Sequence, residues 1–122
     1  MRVPGSALLA LTLCLSAGLA TAASAQDGAA VFNAQCKSCH ALTPANGPAG
    51  PSLKGVAGRK IAGSPGFAYS KALSGKGGTW TDAQLDAYLA NPAGFAPGGK
   101  MFNRVADPKA RAAVIAFLKT QK

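Results

Sequence analysis

The chain is poor in acidic residues, in histidine and in strand-like runs. Its 122 residues contain four acidic residues, all of them Asp, against 13 Lys and Arg, which gives a net charge of +9. A balance this basic favours acidic partners, whether protein, nucleic acid or anionic lipid. The chain also has 15 Gly and eight Pro. It is long enough for one small domain with many turns, and so small a core indicates that something more than side-chain packing holds the fold together.

Long apolar runs are absent except near the start of the chain. Residues 7–20 (ALLALTLCLSAGLA) follow a positive residue, Arg2, and precede the small-x-small sequence Ala23-Ser24-Ala25. This pattern predicts a secretory signal peptide over residues 1–25. Its cleavage leaves a single domain over residues 26–122 with a net charge of +8, and the mature protein is expected in the periplasm.

Two other interpretations of this segment remain open. One is an uncleaved membrane anchor, although the run is short and no stop-transfer charges follow it. The other is a lipoprotein anchor at Cys14, although Leu13 precedes that cysteine where a small residue would be expected. After cleavage we expect no stable membrane insertion.

Cleavage leaves only two cysteines, Cys36 and Cys39, directly followed by the one histidine of the chain, His40. In an exported chain such a pair could form a disulfide or a thioredoxin-like redox pair. The redox pair normally opens a helix after a strand, and nothing before Cys36 has the pattern of a strand. A zinc site would need two further Cys or His ligands, and only His40 is available. CKSCH is therefore predicted to be a c-type haem attachment site.

The spacing of this motif has a chemical reason. Residues i and i+3 share one face of a helix, so both thiols can reach the same side of a flat macrocycle and form thioethers with its vinyl groups. His40 then lies beneath the iron and binds it through an imidazole nitrogen. The attached haem also enlarges a core that the mature chain could not build alone.

The number of protein ligands on a haem iron decides between ligand binding and electron transfer. The mature chain has no second histidine and one methionine, Met101, within the loop-like sequence PGGKM. Met101 could instead be a gap-filling core or surface residue, and a deprotonated lysine could coordinate in principle. The loop setting and the absence of competing residues favour Met101 as the second axial ligand.

The pattern of side chains predicts an all-α domain. Asp27 is expected to cap a helix over about 28–37, and residues 41–68 are expected to be mostly loop, followed by a short turn of helix near 70–73. Thr81 and Gln84 fit a capping box, with Asn91-Pro92 ending that helix. Asp107-Pro108 predicts a last helix whose apolar residues recur with helical spacing.

The chain resembles a class I cytochrome c, close to the mitochondrial cytochrome c and alphaproteobacterial cytochrome c2 type, over nearly all of the mature sequence. The resemblance implies three main helices and long loops wrapped around one covalently bound haem c, with the first and last helices crossing at Gly28, Phe32, Val114 and Phe117. The segments that carry it are CKSCH (36–40), GPSLKGVAGRK (50–60), PGFAYSKAL (65–73), GGTWT (77–81), YLANP (88–92), PGGKM (97–101) and AVIAFLK (113–119).

The resemblance also implies roles for further residues. Pro51 would offer its carbonyl to the Nδ1–H of His40. Arg59, Tyr69 and Trp80 would serve the haem propionates, and Tyr88 would place its hydroxyl near the sulfur of Met101. Without the resemblance, the three aromatic residues would equally well be plain core and Arg59 a surface charge.

The chain departs from the mitochondrial pattern at a few positions. Leu73 stands where relatives often have Asn, and Gly99 where they often have Thr. The segment after Met101 is one residue short, which leaves open whether Phe102 lies at the haem edge.

A His/Met iron has no open position for substrate, so the resemblance implies a one-electron carrier and not an enzyme. Its expected partners are acidic docking faces of redox proteins: a cytochrome bc1-type donor and an oxidase, reductase or reaction-centre acceptor. Nucleic acid is excluded by the compartment, and a monomer is expected. The alternatives are a dedicated haem subunit of a periplasmic dehydrogenase or oxidase, and a ligand-binding or peroxidase-like haem protein. The lysines expected to surround the exposed haem edge are Lys37, Lys54, Lys60, Lys76 and Lys100.

Overall fold

A computed structural model describes residues 25–122, which form helices joined by long loops around one core. The predicted signal peptide lies outside the described residues except for Ala25, the first residue of the first helix. Between residues 25 and 122 there is no strand, only an isolated antiparallel bridge between Lys60 and Thr79. No helix in this part is long and apolar enough to cross a membrane. The helices are α1 (Ala25–Gln35), α2 (Lys71–Ser74), α3 (Asp82–Ala90), α4 (Pro92–Phe95) and α5 (Pro108–Lys119).

Side-chain caps begin four of these helices, α2, α3, α4 and α5, and the sequence predicts those of α3 and α5. The Thr81 side chain accepts a hydrogen bond from the N–H of Gln84 at 3.2 Å, and Asp107 accepts one from Lys109 at 2.9 Å. Ser70 caps α2 in the same way. Each bond satisfies an N–H that has no partner within its helix. The predicted starts of α3 and α5 are confirmed.

One prediction about the helices is wrong and another is confirmed. The first helix begins at Ala25, so Asp27 lies in its first turn instead of capping it. An acidic residue there still interacts favourably with the N-terminal end of the helix dipole. The predicted end of α3 at Asn91-Pro92 is confirmed, and the chain then forms a further short helix, α4, which was not predicted. Asn91 makes this possible because its side chain accepts from the N–H of Gly94 at 3.0 Å, and Pro92 suits a first helical position.

The crossing of α1 and α5 fixes the orientation of the two ends of the described chain. At Gly28, an added Cβ would lie 2.0 Å from the carbonyl oxygen of Ala113, so only glycine permits this approach. The rings of Phe32 and Phe117 lie 5.7 Å apart between centroids. Val114, next to Ala113 in α5, is fully buried. The predicted crossing is confirmed.

Two ion pairs hold α3 against α5. Arg111 donates to Asp86 at 2.8 Å, and Lys119 donates to Asp82 at 3.0 Å. Arg111 also donates to the carbonyl oxygen of Val105 at 3.0 Å, which ties the segment before α5 to the same pair. These contacts fix the relative position of two helices whose inner faces line the site described next.

Candidate functional site

One cavity, between α1, α3, α5 and the long loops, is lined by every residue that the sequence predicts for the site. Leucine and valine side chains form much of its remaining lining, among them Val56, Leu85 and Leu118. Residues that are far apart in the sequence therefore meet at one place. The predicted residues that line it are Cys36, Cys39, His40, Pro51, Arg59, Tyr69, Trp80, Tyr88 and Met101.

The CKSCH motif follows directly on the last turn of α1. The N–H groups of Cys36 and Lys37 both donate to the carbonyl of Phe32, at 2.9 and 3.0 Å, and those of Cys39 and His40 both donate to the carbonyl of Cys36. The backbone therefore remains coiled through the motif, and both cysteines are half-buried, form no disulfide with each other and line the cavity. Burial, with a smaller effect of Cys39, raises the pKa of Cys36 to about 11. A redox-active dithiol needs the opposite shift.

His40 is held in one orientation. Its Nδ1–H donates to the carbonyl oxygen of Pro51 at 2.8 Å, which leaves Nε2 as the nitrogen available to a metal. Burial lowers the pKa of His40, although the bond to Pro51 acts in the opposite direction. Gly50 packs so closely against the ring that an added Cβ would lie 2.5 Å from its Cε1. The lowered pKa favours the neutral ring that a metal ligand requires, and Pro51 and Gly50 fix its orientation.

Met101 reaches the cavity from the loop between α4 and α5. Its side chain is half-buried and packs against the core. The preceding residue, Lys100, donates from Nζ to the carbonyl oxygen of Ala68 at 2.8 Å, across 32 positions of sequence. This bond joins the methionine loop to the loop before α2. Phe102, which follows Met101, is 86% exposed and lies at the rim of the cavity.

Aromatic side chains form two groups around the cavity. Trp80, Tyr88 and Phe95 lie within 5.2 to 5.7 Å of one another between ring centroids. Tyr69 contacts Phe67 edge to face at 4.9 Å, and its hydroxyl accepts from the N–H of Ser64 at 2.9 Å. Burial, with a smaller contribution from Tyr69, raises the pKa of Tyr88, so its hydroxyl stays protonated. Within residues 25–122 no hydrogen bond joins that hydroxyl to Met101, and the predicted contact stays a prediction.

Arg59 is a charged residue of the cavity lining, and one nitrogen of its side chain is buried without a hydrogen-bond partner among the described residues. It donates from Nη2 to the carbonyl of Ser52 at 3.0 Å and from Nη1 to that of Lys54 at 3.3 Å. Its Nε is buried and has no partner among the described residues. A buried N–H of a cation is costly to leave unpaired, so an anionic group in the cavity would satisfy it.

The donor set fits a haem. Two thiols and an imidazole lie in one short motif, a thioether lies on a separate loop, and the remaining lining is largely apolar. The unpaired Nε of Arg59 fits a propionate. These are the groups that a covalently attached haem with His and Met ligands requires.

Sequence reasoning missed Asn46, whose side-chain amide makes three hydrogen bonds around the loop that carries Pro51. Two buried serines, Ser52 and Ser64, are among its partners. Polar residues between Gly and Pro in a predicted loop give no local signal of such a role, because the partners of Asn46 lie up to 19 positions away.

Comparison with known proteins gives a consistent result. The family model for cytochrome c matches residues 25–122. Cytochrome c2 of Rhodomicrobium vannielii is 44% identical, with 99% of this chain and 98% of that protein covered. Cytochrome c2 iso-1 of Magnetospirillum molischianum is 47% identical over 75% of this chain and 93% of that protein. The solved structure of cytochrome cH from Methylobacterium extorquens superposes with a TM-score of 0.73, at 44% identity, and covers 80% of this chain and 98% of that one.

Proposed function

The chain belongs to the cytochrome c family, and on this premise we propose that it is a periplasmic one-electron carrier whose haem iron is bound by His40 and Met101. It is an electron-transport protein with the class I cytochrome c fold and one covalently bound haem c. The observation that carries the proposal is the single cavity lined by both thiols, the imidazole and the methionine sulfur. The signal-peptide pattern of residues 1–25 supports export.

Different residues of the cavity would hold different parts of the cofactor. Haem c, when bound, supplies reversible one-electron oxidation and reduction of its iron. Cys36 and Cys39 would hold it through thioethers, and His40 would bind the iron through Nε2, since Nδ1 is committed to Pro51. Met101 would supply the second protein ligand to the iron. Arg59 would direct its spare N–H to a propionate.

The surroundings of these residues favour electron transfer over catalysis. A second protein ligand leaves no open position at which substrate could bind. The bond from Lys100 to Ala68 links the loop of Met101 to the loop before α2. Leu85, Leu89 and Leu118 are buried and give the cavity an apolar lining. Little has to move when the charge of the site changes, as a carrier requires.

The proposal is tested by a redox titration of the purified holoprotein combined with exposure to carbon monoxide. We expect a reversible one-electron transition and no spectral change when carbon monoxide is added to the reduced protein, because Met101 would be the second protein ligand of the iron. Rapid carbon monoxide binding, or consumption of hydrogen peroxide with turnover, would contradict a closed carrier. Either result would support the ligand-binding or peroxidase-like alternative.

The distribution of charge supports acidic redox partners. The lysines proposed to surround the haem edge, Lys37, Lys54, Lys60, Lys76 and Lys100, are exposed. Two of the four aspartates, Asp82 and Asp86, are paired with cations of α5. The protein would thus present unpaired positive charge to the acidic docking face of a bc1-type donor or of an oxidase, reductase or reaction-centre acceptor. It would do so as a monomer, and the compartment excludes nucleic acid.

We expect electron transfer to such an acceptor to slow as ionic strength rises, above any low-salt optimum set by slow product release. Electrostatic steering can raise association rates by ~10- to 1,000-fold and weakens as salt screens it. Lys100→Glu should slow the reaction more than Lys122→Glu, although both change the net charge equally, because Lys100 lines the cavity beside Met101 and Lys122 is not part of its lining. The measurement is the second-order rate constant against salt concentration.

Lys100 also makes a structural hydrogen bond, so the reduction potential of each variant is measured beside its rate. An unchanged potential assigns the slower rate to docking. Equal effects of the two substitutions, or a rate indifferent to salt, would argue against a lysine-guided encounter.

A further inference from the structure

The side-chain amide of Asn46 joins two loops at the edge of the site. Its Oδ1 accepts from the backbone N–H of Ser52 and from the hydroxyl of Ser64, each at 3.0 Å. Its Nδ2 donates to the carbonyl of Pro65 at 3.1 Å. Ser52 and Ser64 are 3% and 7% exposed, so both bonds to Oδ1 end on buried residues and are shielded from competing water.

One of these bonds ends on the peptide group that contacts His40. The carbonyl of Pro51 and the N–H of Ser52 belong to one planar unit, which is trans. Its carbonyl accepts from His40 Nδ1 at 2.8 Å, and its N–H donates to Asn46 Oδ1 at 3.0 Å. A continuous chain of hydrogen bonds therefore runs from the amide of Asn46, through one peptide group, to the imidazole.

We propose that Asn46 is a positioning residue that tunes the electron-donating strength of His40 through the Pro51–Ser52 peptide. Hydrogen bonds in series polarise one another, so a bond accepted from the N–H makes the carbonyl of the same peptide a stronger acceptor. A stronger acceptor at Nδ1–H makes the imidazole a better metal ligand. A better donor stabilises the oxidised iron and lowers the reduction potential. The proposal rests on the proposed ligation of iron by His40.

Other contacts keep this peptide from rotating. The hydroxyl of Ser52 donates to the carbonyl of Thr43 and accepts from the N–H of Lys54 at 3.2 Å. The carbonyl of Ser52 accepts from Arg59 Nη2 at 3.0 Å. With its backbone groups and its side chain all engaged, Ser52 holds its peptide in the orientation that both His40 and Asn46 require. Since an amide does not titrate, this chain of hydrogen bonds polarises the imidazole equally at every pH at which the protein is folded.

The test compares two variants whose effects on the potential have opposite sign. Asn46→Leu has similar volume but no acceptor, so we expect the reduction potential to rise and the Nδ1 hydrogen of His40 to exchange faster with solvent. Asn46→Asp keeps an acceptor at the same place and gives it a full charge, so we expect the potential to fall. Both are measured on the holoprotein, by redox titration and by proton exchange in nuclear magnetic resonance spectra.

Two controls separate polarisation of His40 through the Pro51–Ser52 peptide from effects of added charge and of lost stability. Ala45→Asp adds the same charge at the exposed neighbouring position, so Asn46→Asp must lower the potential by more than this variant does. Ser64→Ala removes one bond of Asn46 but leaves the bond to Ser52 N–H, so it should lower stability towards denaturant without raising the potential. If Asn46→Leu does not fold, Asn46→Asp and its matched control still decide the question.

The result that would overturn the proposal is a loss of stability in Asn46→Leu without a change of potential or of Nδ1–H exchange. Asn46 would then only join two loops and would have no effect on the reduction potential. Failure of the proposed function is distinguishable, because it would appear in the unmodified protein as carbon monoxide binding. Exchange of the His40 Nδ1 hydrogen does not depend on Met101.

Discussion

Met101→Ala is expected to keep the covalent haem but to lose the Fe(III)–thioether absorption band at the red edge of the visible spectrum and to lower the reduction potential. Methionine is a soft ligand that favours Fe(II), so its loss favours the oxidised state. The thioethers to Cys36 and Cys39 do not involve Met101, so attachment should survive. Absorption spectra and a redox titration check both parts.

The neighbouring position offers a control for this variant. Phe102→Ala changes an exposed side chain next to Met101 and leaves the sulfur in place, so the band should persist. Reduced Met101→Ala should bind carbon monoxide readily, whereas the control should not. An unchanged spectrum and potential in Met101→Ala would mean that Met101 is not the ligand, and the proposed function would lose its main support.

The features that could be predicted from the sequence depend on short-range chemistry. Thr81 and Asp107 cap helices through N–H groups two or three positions away, so the signal lies within one turn. The apolar residues of α5 recur with helical spacing, and the attachment motif spans five residues. Met101 could be proposed because the mature chain has no other methionine. The caps, the helical spacing and the attachment motif each depend on residues within a short stretch of the sequence. Met101 is identified by elimination instead.

The features that could not be predicted depend on contacts between distant loops. Lys100 and Ala68 are 32 positions apart, and Asn46 and Ser64 are 18 apart. Neither pair follows from composition or periodicity, because loops have no repeating geometry that brings given residues together. The sequence suggested Lys100 only as a docking charge, although the structure gives it a second role at the methionine loop. Likewise, the exposure of Phe102 depends on the path of that loop.

More than half of the buried core residues of this protein also line its site. Seven buried side chains belong both to the core and to the cavity lining. They come from α2, α3, α5 and the loops, and none comes from α1. Apolar surface that lines a cofactor cavity contributes fully to folding only when the cofactor covers it. The shared residues are Val56, Leu73, Trp80, Leu85, Leu89, Val114 and Leu118.

From this overlap we expect Cys36→Ala or Cys39→Ala to greatly lower the yield of holoprotein. Each variant removes one of the two thioethers that keep the haem in the cavity, and haem lost outside the cytoplasm leaves a small domain without much of its core. The yield is measured by haem absorbance relative to total protein in the exported fraction. Lys37→Ala is the matched control, because it changes an exposed residue within the same motif and leaves both thiols and His40 unaltered. The control should mature normally. Abundant, normally folded protein without haem from either cysteine variant would contradict the attachment hypothesis, because it would mean that the side chains alone complete the core.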